Sequence, residues 1–140
     1  MLSPGSCCAM SVDHRRRWLE RVPARAESIG PLRRAVVEFA RTCGASDDQC
    51  DDIAVAVSEA LSNVVEHAYV GLESPGSMAV EASLREHRLV VVVSDDGLGM
   101  RGRDSGGVGM GLRLIFELTE RLEVEDTVPG ARARMTFGIG

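Results

Sequence analysis

Between residues 53 and 68 the apolar side chains Ile53, Val57, Ala60, Leu61, Val64 and Ala68 recur at offsets of 0, 4, 7, 8, 11 and 15. One face of a helix with 3.6 residues per turn collects all six, so the spacing predicts a helix from about residue 47 to about residue 68 with one buried side. Such a helix must lie against a second layer, and the next segment supplies it. Gly71, Ser74, Pro75 and Gly76 break the pattern. Met78, Val80, Ala82 and Leu84 then alternate, as in a half-buried strand. Arg85-Glu86-His87-Arg88 reads as a polar hairpin turn, and Leu89 to Val93 as a continuous apolar strand in the middle of a sheet.

The rest of the chain completes that frame. Residues 1–14 read as a flexible N-terminal tail and residues 15–140 as a single domain. Trp18, Leu19 and Val22, ending at Pro23, suggest a short first strand. Pro31 suits the first turn of a helix carrying Leu32, Val36, Val37, Phe39 and Ala40, with Gly44 just past its end. Ser46 is a candidate N-cap for the long helix, and Asp47 and Asp48 suit its positive end. Met110, Leu112, Leu114, Ile115 and Leu118 predict a third helix reaching about Arg121. Leu122, Val124 and Thr127 form a strand, Pro129-Gly130 a turn, and Ala131, Ala133, Met135 and Phe137 a closing strand. The order implies an α/β (α+β) two-layer sandwich: one mixed, mostly antiparallel sheet with helices on one face.

Composition narrows the function. The formal charge of -5 disfavours a nucleic-acid partner. Arg15-Arg16-Arg17 and Arg33-Arg34 are basic runs that fit either solvated surface or a docking patch. No apolar stretch approaches 18 residues, so no membrane span is expected, and no signal-peptide core begins the chain. Cys7, Cys8, Cys43 and Cys50 show no zinc spacing. They read as free thiols in a reducing, cytoplasmic setting.

The chemistry concentrates in three places. Glu59 and Asn63 sit four residues apart and so share a helix face. Asn63 can offer an amide oxygen to a hard cation such as Mg2+. Glu59 can act as a second ligand or as a general base. The plainer reading is a solvated helix flank. His67, one turn on, is a candidate for nucleotide contact or a packing residue at the helix end. Asp95 closes a buried strand, where an acid needs a partner, and the exocyclic amino group of adenine is a suitable donor. Gly97 and Gly99 would let the backbone approach a flat ring; an ordinary Asp-Gly turn is the alternative. Gly106, Gly107, Gly109 and Gly111 precede the third helix, where uncovered N–H groups bind anions. A dinucleotide fingerprint would need a strand directly before these glycines, and Arg101 to Ser105 read as loop.

Taken in order, these residues resemble the GHKL (Bergerat-fold) ATPases. Glu59-Ala60-Leu61-Ser62-Asn63-Val64-Val65-Glu66-His67-Ala68-Tyr69 is similar to their N box, Asp95-Asp96-Gly97-Leu98-Gly99 to their G1 box, and Gly107-Val108-Gly109-Met110-Gly111-Leu112 to their G2 box. The resemblance covers roughly residues 18 to 139 and is strongest to the bacterial anti-sigma-factor serine/threonine kinases. It implies that Asn63 holds Mg2+ on ATP, that Glu59 is the general base and that Asp95 reads adenine. Gly97, Gly99, Gly107, Gly109 and Gly111 would shape the pocket and phosphate loop, with His67 nearby. Arg101 and Arg103 are the cations of a short lid. The implied activity is phosphorylation of a STAS-like antagonist on serine or threonine, coupled to sequestration of a sigma factor by a homodimer. The chain departs from the family at Gly130-Ala131, where a Gly-Thr pair usually helps hold the aspartate. That departure motivates an alternative, a non-catalytic anti-sigma binding module.

Overall fold

The computed structural model describes residues 16–73, 76–98, 105–127 and 129–140, with the backbone path alone for 105–110. Gly99, Arg101 and Arg103 lie outside the described residues, as does the expected N-terminal tail. In chain order the elements are β1 (Arg17–Pro23), α1 (Ala26–Thr42), α2 (Asp47–Asn63), a π-helical turn (Val64–Ala68), β2 (Ser77–Arg85), β3 (Arg88–Asp95), α3 (Ser105–Leu118), β4 (Arg121–Asp126) and β5 (Ala131–Gly138). The sheet order is β1-β2-β3-β5-β4. The expectation of a mixed, mostly antiparallel sheet narrows, because all four neighbouring pairs are antiparallel. The apolar run Leu89 to Val93 does occupy the central strand.

Helix α1 starts at Ala26, more than a turn before Pro31, which lies inside it. The missing Pro31 N–H is outweighed by burial: Ile29 packs on the core ahead of the proline, and Leu32, Val36 and Ala40 are buried beyond it. The helix ends as its glycine predicts. Gly44 takes φ +102°, its N–H donates to Arg41 and the Ala45 N–H donates to Ala40, a Schellman closure. Two residues later Ser46 caps α2: its hydroxyl accepts from the Gln49 N–H (3.2 Å) while its own N–H donates to the Gln49 amide oxygen (2.8 Å). This reciprocal capping box fixes where the long helix begins.

The stripe predicted for α2 is the floor of the core. Ile53, Val57, Ala60, Leu61, Val64 and Ala68 are all buried. They meet Met78, Val80 and Ala82 of β2, Leu89, Val91 and Val93 of β3, and Met135 and Phe137 of β5, all on one face of the sheet. The opposite face bears Arg17 paired with Glu81, Arg132 with Glu125 (2.6 Å) and Arg134 with Glu123 (3.6 Å). Helices therefore cover one face of the sheet, as expected. No described helix is long and apolar enough to cross a membrane.

Two expectations for α3 change. The helix ends at Leu118 rather than near Arg121, and it begins at Ser105, so Gly106, Gly107, Gly109 and Gly111 lie on its first two turns instead of ahead of it. Glycine is a weak helix former, but Leu112, Ile115 and Leu118 recur every three residues and all face the core. Leu114, expected in that stripe, is half-exposed on the other side.

Candidate functional site

Asn63 is the last residue of α2 and is 8% exposed, one of two buried polar side chains among the described residues; the other is Asp95, at 3%. The two come from different layers, yet both line one cavity of about 20 Å³. Ala60, Val64, Val93, Leu112 and Ala131 supply its apolar walls. A cavity of that volume has room for about one water; its lining, a polar group at two points between apolar walls, gives this slot the character of a small-molecule site. A much larger concavity, about 1170 Å³, is the open charged face of the sheet, and none of the sequence candidates lies on it.

Glu59 sits one turn before Asn63, half-buried on the same side of α2. Helix α3 passes directly over the pair. A Cβ on Gly111 would lie 3.3 Å from both Glu59 Oε1 and Asn63 Oδ1, and 3.4 Å from Asn63 Nδ2. Gly111 thus keeps clear the space that both side chains face. Gly107 and Gly109 lie further towards the start of α3, where the first four N–H groups have no partner within the helix. The structure therefore brings together Glu59, Asn63, Gly111 and, across the slot, Asp95. It does not bring His67 to the cavity: its Nε2 lies 3.7 Å from Glu66 Oε1 on the flank of the π-helical turn.

Asp95 ends β3 between Met78 of β2 and Ala131 of β5. Its Oδ1 accepts the Gly97 N–H (2.9 Å), so the carboxylate also shapes the turn that follows it. Gly97 is demanded there, because a Cβ would overlap the Ala68 carbonyl oxygen. Leu98 donates its N–H to that same oxygen (2.8 Å). Gly130, at φ +100°, lies so close to the Asp95 carbonyl that no side chain fits. The residue opposite Asp95 is thus the methyl of Ala131, which brings no hydroxyl to the carboxylate.

Tyr69 had no role assigned from sequence beyond its place in the motif. Its hydroxyl donates to the Ser77 carbonyl oxygen (2.5 Å) and accepts the Asp96 N–H (3.0 Å). Burial pushes its ionisation up from the ordinary 10.0. No motif-level signal could have found this contact, because Ser77 and Asp96 are joined to Tyr69 only by the fold.

Among the described residues no cluster of three or more His, Cys, Asp or Glu side chains gathers for a metal. Mg2+ needs no such cage, since it is commonly held by one or two protein oxygens, water and substrate phosphates. The Asn63 amide oxygen beside the gap left by Gly111 fits that donor set.

Comparison with known proteins identifies the family and the fold. A model of the histidine kinase-like ATPase domain matches residues 22–137. The serine-protein kinase RsbW of Halalkalibacterium halodurans is 33% identical over 121 residues, covering 75% of this chain and 73% of that protein. RsbW of Bacillus thuringiensis is 36% identical over 78 residues, covering 56% of this chain and 48% of that protein. Among solved structures, the RsbU and RsbW domains of Rv1364c from Mycobacterium tuberculosis superpose with a TM-score of 0.71 at 23% identity, over 89% of this chain and 32% of that one. The histidine kinase domain of the Erythrobacter litoralis EL346 blue-light activated kinase does so at 0.52 and 20%, over 84% of this chain and 62% of that one. The chain spans about half the length of the Bacillus relative and a third of the mycobacterial one. With that match over residues 22–137 and the RsbW relative of Halalkalibacterium halodurans covered over 73% of its length, the chain belongs to the histidine kinase-like ATPase domain family.

Proposed function

We propose that the protein is an ATP- and Mg2+-dependent serine/threonine protein kinase of the anti-sigma-factor type. It would phosphorylate a STAS-like antagonist and, as a homodimer, sequester a sigma factor. ATP binding accords with membership of the family, and the kinase activity with the RsbW relatives. The observation that carries the reading is the single slot shared by Asn63 and Asp95, with Glu59 held beside it under Gly111.

Each residue has a role that its position supports. Asp95 accepts the adenine amino group through its carboxylate. Asn63 would hold Mg2+ through its amide oxygen, and the ion would neutralise charge on the phosphates. The N–H groups on the first turn of α3, among Gly106, Gly107 and Val108, receive phosphate oxygens. Glu59 accepts the proton of the target hydroxyl as its oxygen bonds to the γ-phosphorus and the bond to the β–γ bridging oxygen breaks, releasing ADP. Phosphoryl transfer of this kind depends chiefly on positioning and charge stabilisation. Arg101 and Arg103 are the proposed lid cations, and Gly99 completes the adenine turn. His67 contributes at most from the flank, beside Glu66.

One observation favours the second reading, a binding module in which ATP is structural or absent. Ala131 faces Asp95 without the hydroxyl that would brace it. Phosphotransfer from ATP to a STAS-fold antagonist separates the two. Wild type should transfer; Glu59→Gln should bind ATP normally and lose transfer by on the order of a hundredfold or more. Asp95→Asn should weaken ATP roughly tenfold or more while leaving the fold intact. Transfer by Glu59→Gln at the wild-type rate would remove Glu59 as base, and no ATP binding by wild type would favour the binding module.

A further inference from the structure

We propose that Tyr69 is a positioning residue for nucleotide recognition. Its hydroxyl fixes the turn carrying Asp95 against the end of the helix that carries Glu59 and Asn63. The inference rests on the adenine-reading role of Asp95 and adds what holds that carboxylate in place.

Three successive amides of the Asp95 turn are each committed. The Asp96 N–H goes to the Tyr69 hydroxyl, the Gly97 N–H to Asp95 Oδ1 and the Leu98 N–H to the Ala68 carbonyl. Two of those three acceptors belong to consecutive residues at the end of the π-helical turn, which begins directly after Asn63. The widened turn therefore sets the distance between the two ends of the slot. Tyr69 is the adjustable half of this clamp. A phenol has one proton, and the short bond to Ser77 uses it, so the oxygen is left to accept from Asp96. The ring packs closely against Gly76, where a Cβ would lie 2.6 Å from Cε1 and 2.8 Å from Cζ, so only glycine leaves room for it. The Gly76 carbonyl in turn accepts from Ala24 at the end of β1. A further contact of Asp96, a 3.6 Å ion pair with Arg21, is solvent-exposed on both sides and too weak to fix the turn alone.

Removing the hydroxyl leaves the Ser77 carbonyl and the Asp96 N–H to find water, and lets the turn move relative to Asn63. The phosphate side, with Glu59, Asn63 and Gly111, keeps its packing. Tyr69→Phe should therefore raise the ATP dissociation constant about tenfold, the loss of roughly one well-formed hydrogen bond to an aligned group. It should leave transfer at saturating ATP near wild type. A residue needed only for folding would lower the melting temperature and turnover together and leave base preference untouched.

The test compares ATP with purine riboside triphosphate, which lacks the exocyclic amino group. Wild type should prefer ATP, and Tyr69→Phe should lose most of that preference with unchanged turnover at saturation. Full retention of the preference in Tyr69→Phe would overturn the role of Tyr69 and leave Asp95 standing. No preference in wild type would overturn both, through Asp95. Because Tyr69 is the only tyrosine in the chain, 3-fluorotyrosine incorporation labels it alone and keeps the side chain near native size, independent of whether the phenylalanine variant folds. Its fluorine resonance should move on adding ADP and stay fixed on adding tripolyphosphate. An unmoved resonance at saturating ADP would count against the proposal.

Discussion

A glycine can matter for the space it keeps open rather than for the angles it adopts, and Gly111 is such a residue. It sits in a regular helix, where alanine is favoured over glycine by up to about 1 kcal/mol. Its added methyl, however, would stand 3.3 Å from Glu59 Oε1 and Asn63 Oδ1. Gly111→Ala should then keep or raise the melting temperature while phosphotransfer falls by on the order of tenfold or more, since small displacements of a positioned base are costly. Thermal unfolding and a transfer assay on the same preparation check both halves. Wild-type transfer by this variant would show that the gap serves helix packing and nothing else. Gly97 and Gly130 are different: a side chain there would collide with backbone, at Ala68 and Asp95. They belong to the shape of the turn, whereas Gly111 belongs to the shape of the site.

At the level of elements, Pro31 and the π-helical turn show two ways in which helices here depart from regularity. Pro31 removes one hydrogen bond from the interior of α1 and crowds the turn before it. No α1 residue lines the slot between Asn63 and Asp95. Pro31→Ala should stabilise the fold by about 1–3 kcal/mol, seen as a rise of several degrees in the melting temperature, with ATP affinity unchanged. A fall would mean that the ring's packing or its restriction of the unfolded chain outweighs the lost bond. The sequence made α2 legible from end to end, because six apolar residues and a serine cap agree on one register. It also put Glu59 and Asn63 on one helix face, because they are four residues apart, and Asp95 at the end of a buried strand, and the structure has all three in those places. The start of α1 differs from the expectation because proline's preference for a first turn lost to the packing of Ile29 on the core. The start of α3 was misread because glycine's low propensity lost to the packing of Leu112 and Ile115. The π-helical turn left no trace, since Val64 and Ala68 are four apart in either kind of helix. Its consequence, the paired contacts of Ala68 and Tyr69 with the Asp95 turn, depends on which strand ends meet, and that is a property of the assembled sheet.

Across the whole molecule, the buried Cys50 and the half-buried Tyr69 tie stability to alkaline pH. Burial pushes the Cys50 thiol of α2 up from its ordinary 9.0, and the Tyr69 phenol beyond the π-helical turn up from 10.0. Arg41 opposes the first shift, while Asp47, Asp51 and Glu38 reinforce it. The Asp96 N–H and Arg21 oppose the second, while Asp95 and Asp96 reinforce it. Both groups are acids whose neutral form the fold prefers. Below about pH 9 both are protonated in the folded and the unfolded chain, so the full stability is present. As pH rises past the ordinary values the unfolded chain gives up these protons first, and stability falls until the folded chain follows. The melting temperature should therefore begin to decline near pH 9 and decline more steeply above about pH 10. Cys50→Ala should remove the earlier limb and Tyr69→Phe the later one. Since Tyr69 is the sole tyrosine, its ultraviolet ionisation curve reads the second group directly and should run above that of a free tyrosine. A titration midpoint at or below 10.0 would contradict the burial of the phenol. It would also weaken the case that its proton is held on the Ser77 carbonyl, where the turn of Asp95 depends on it.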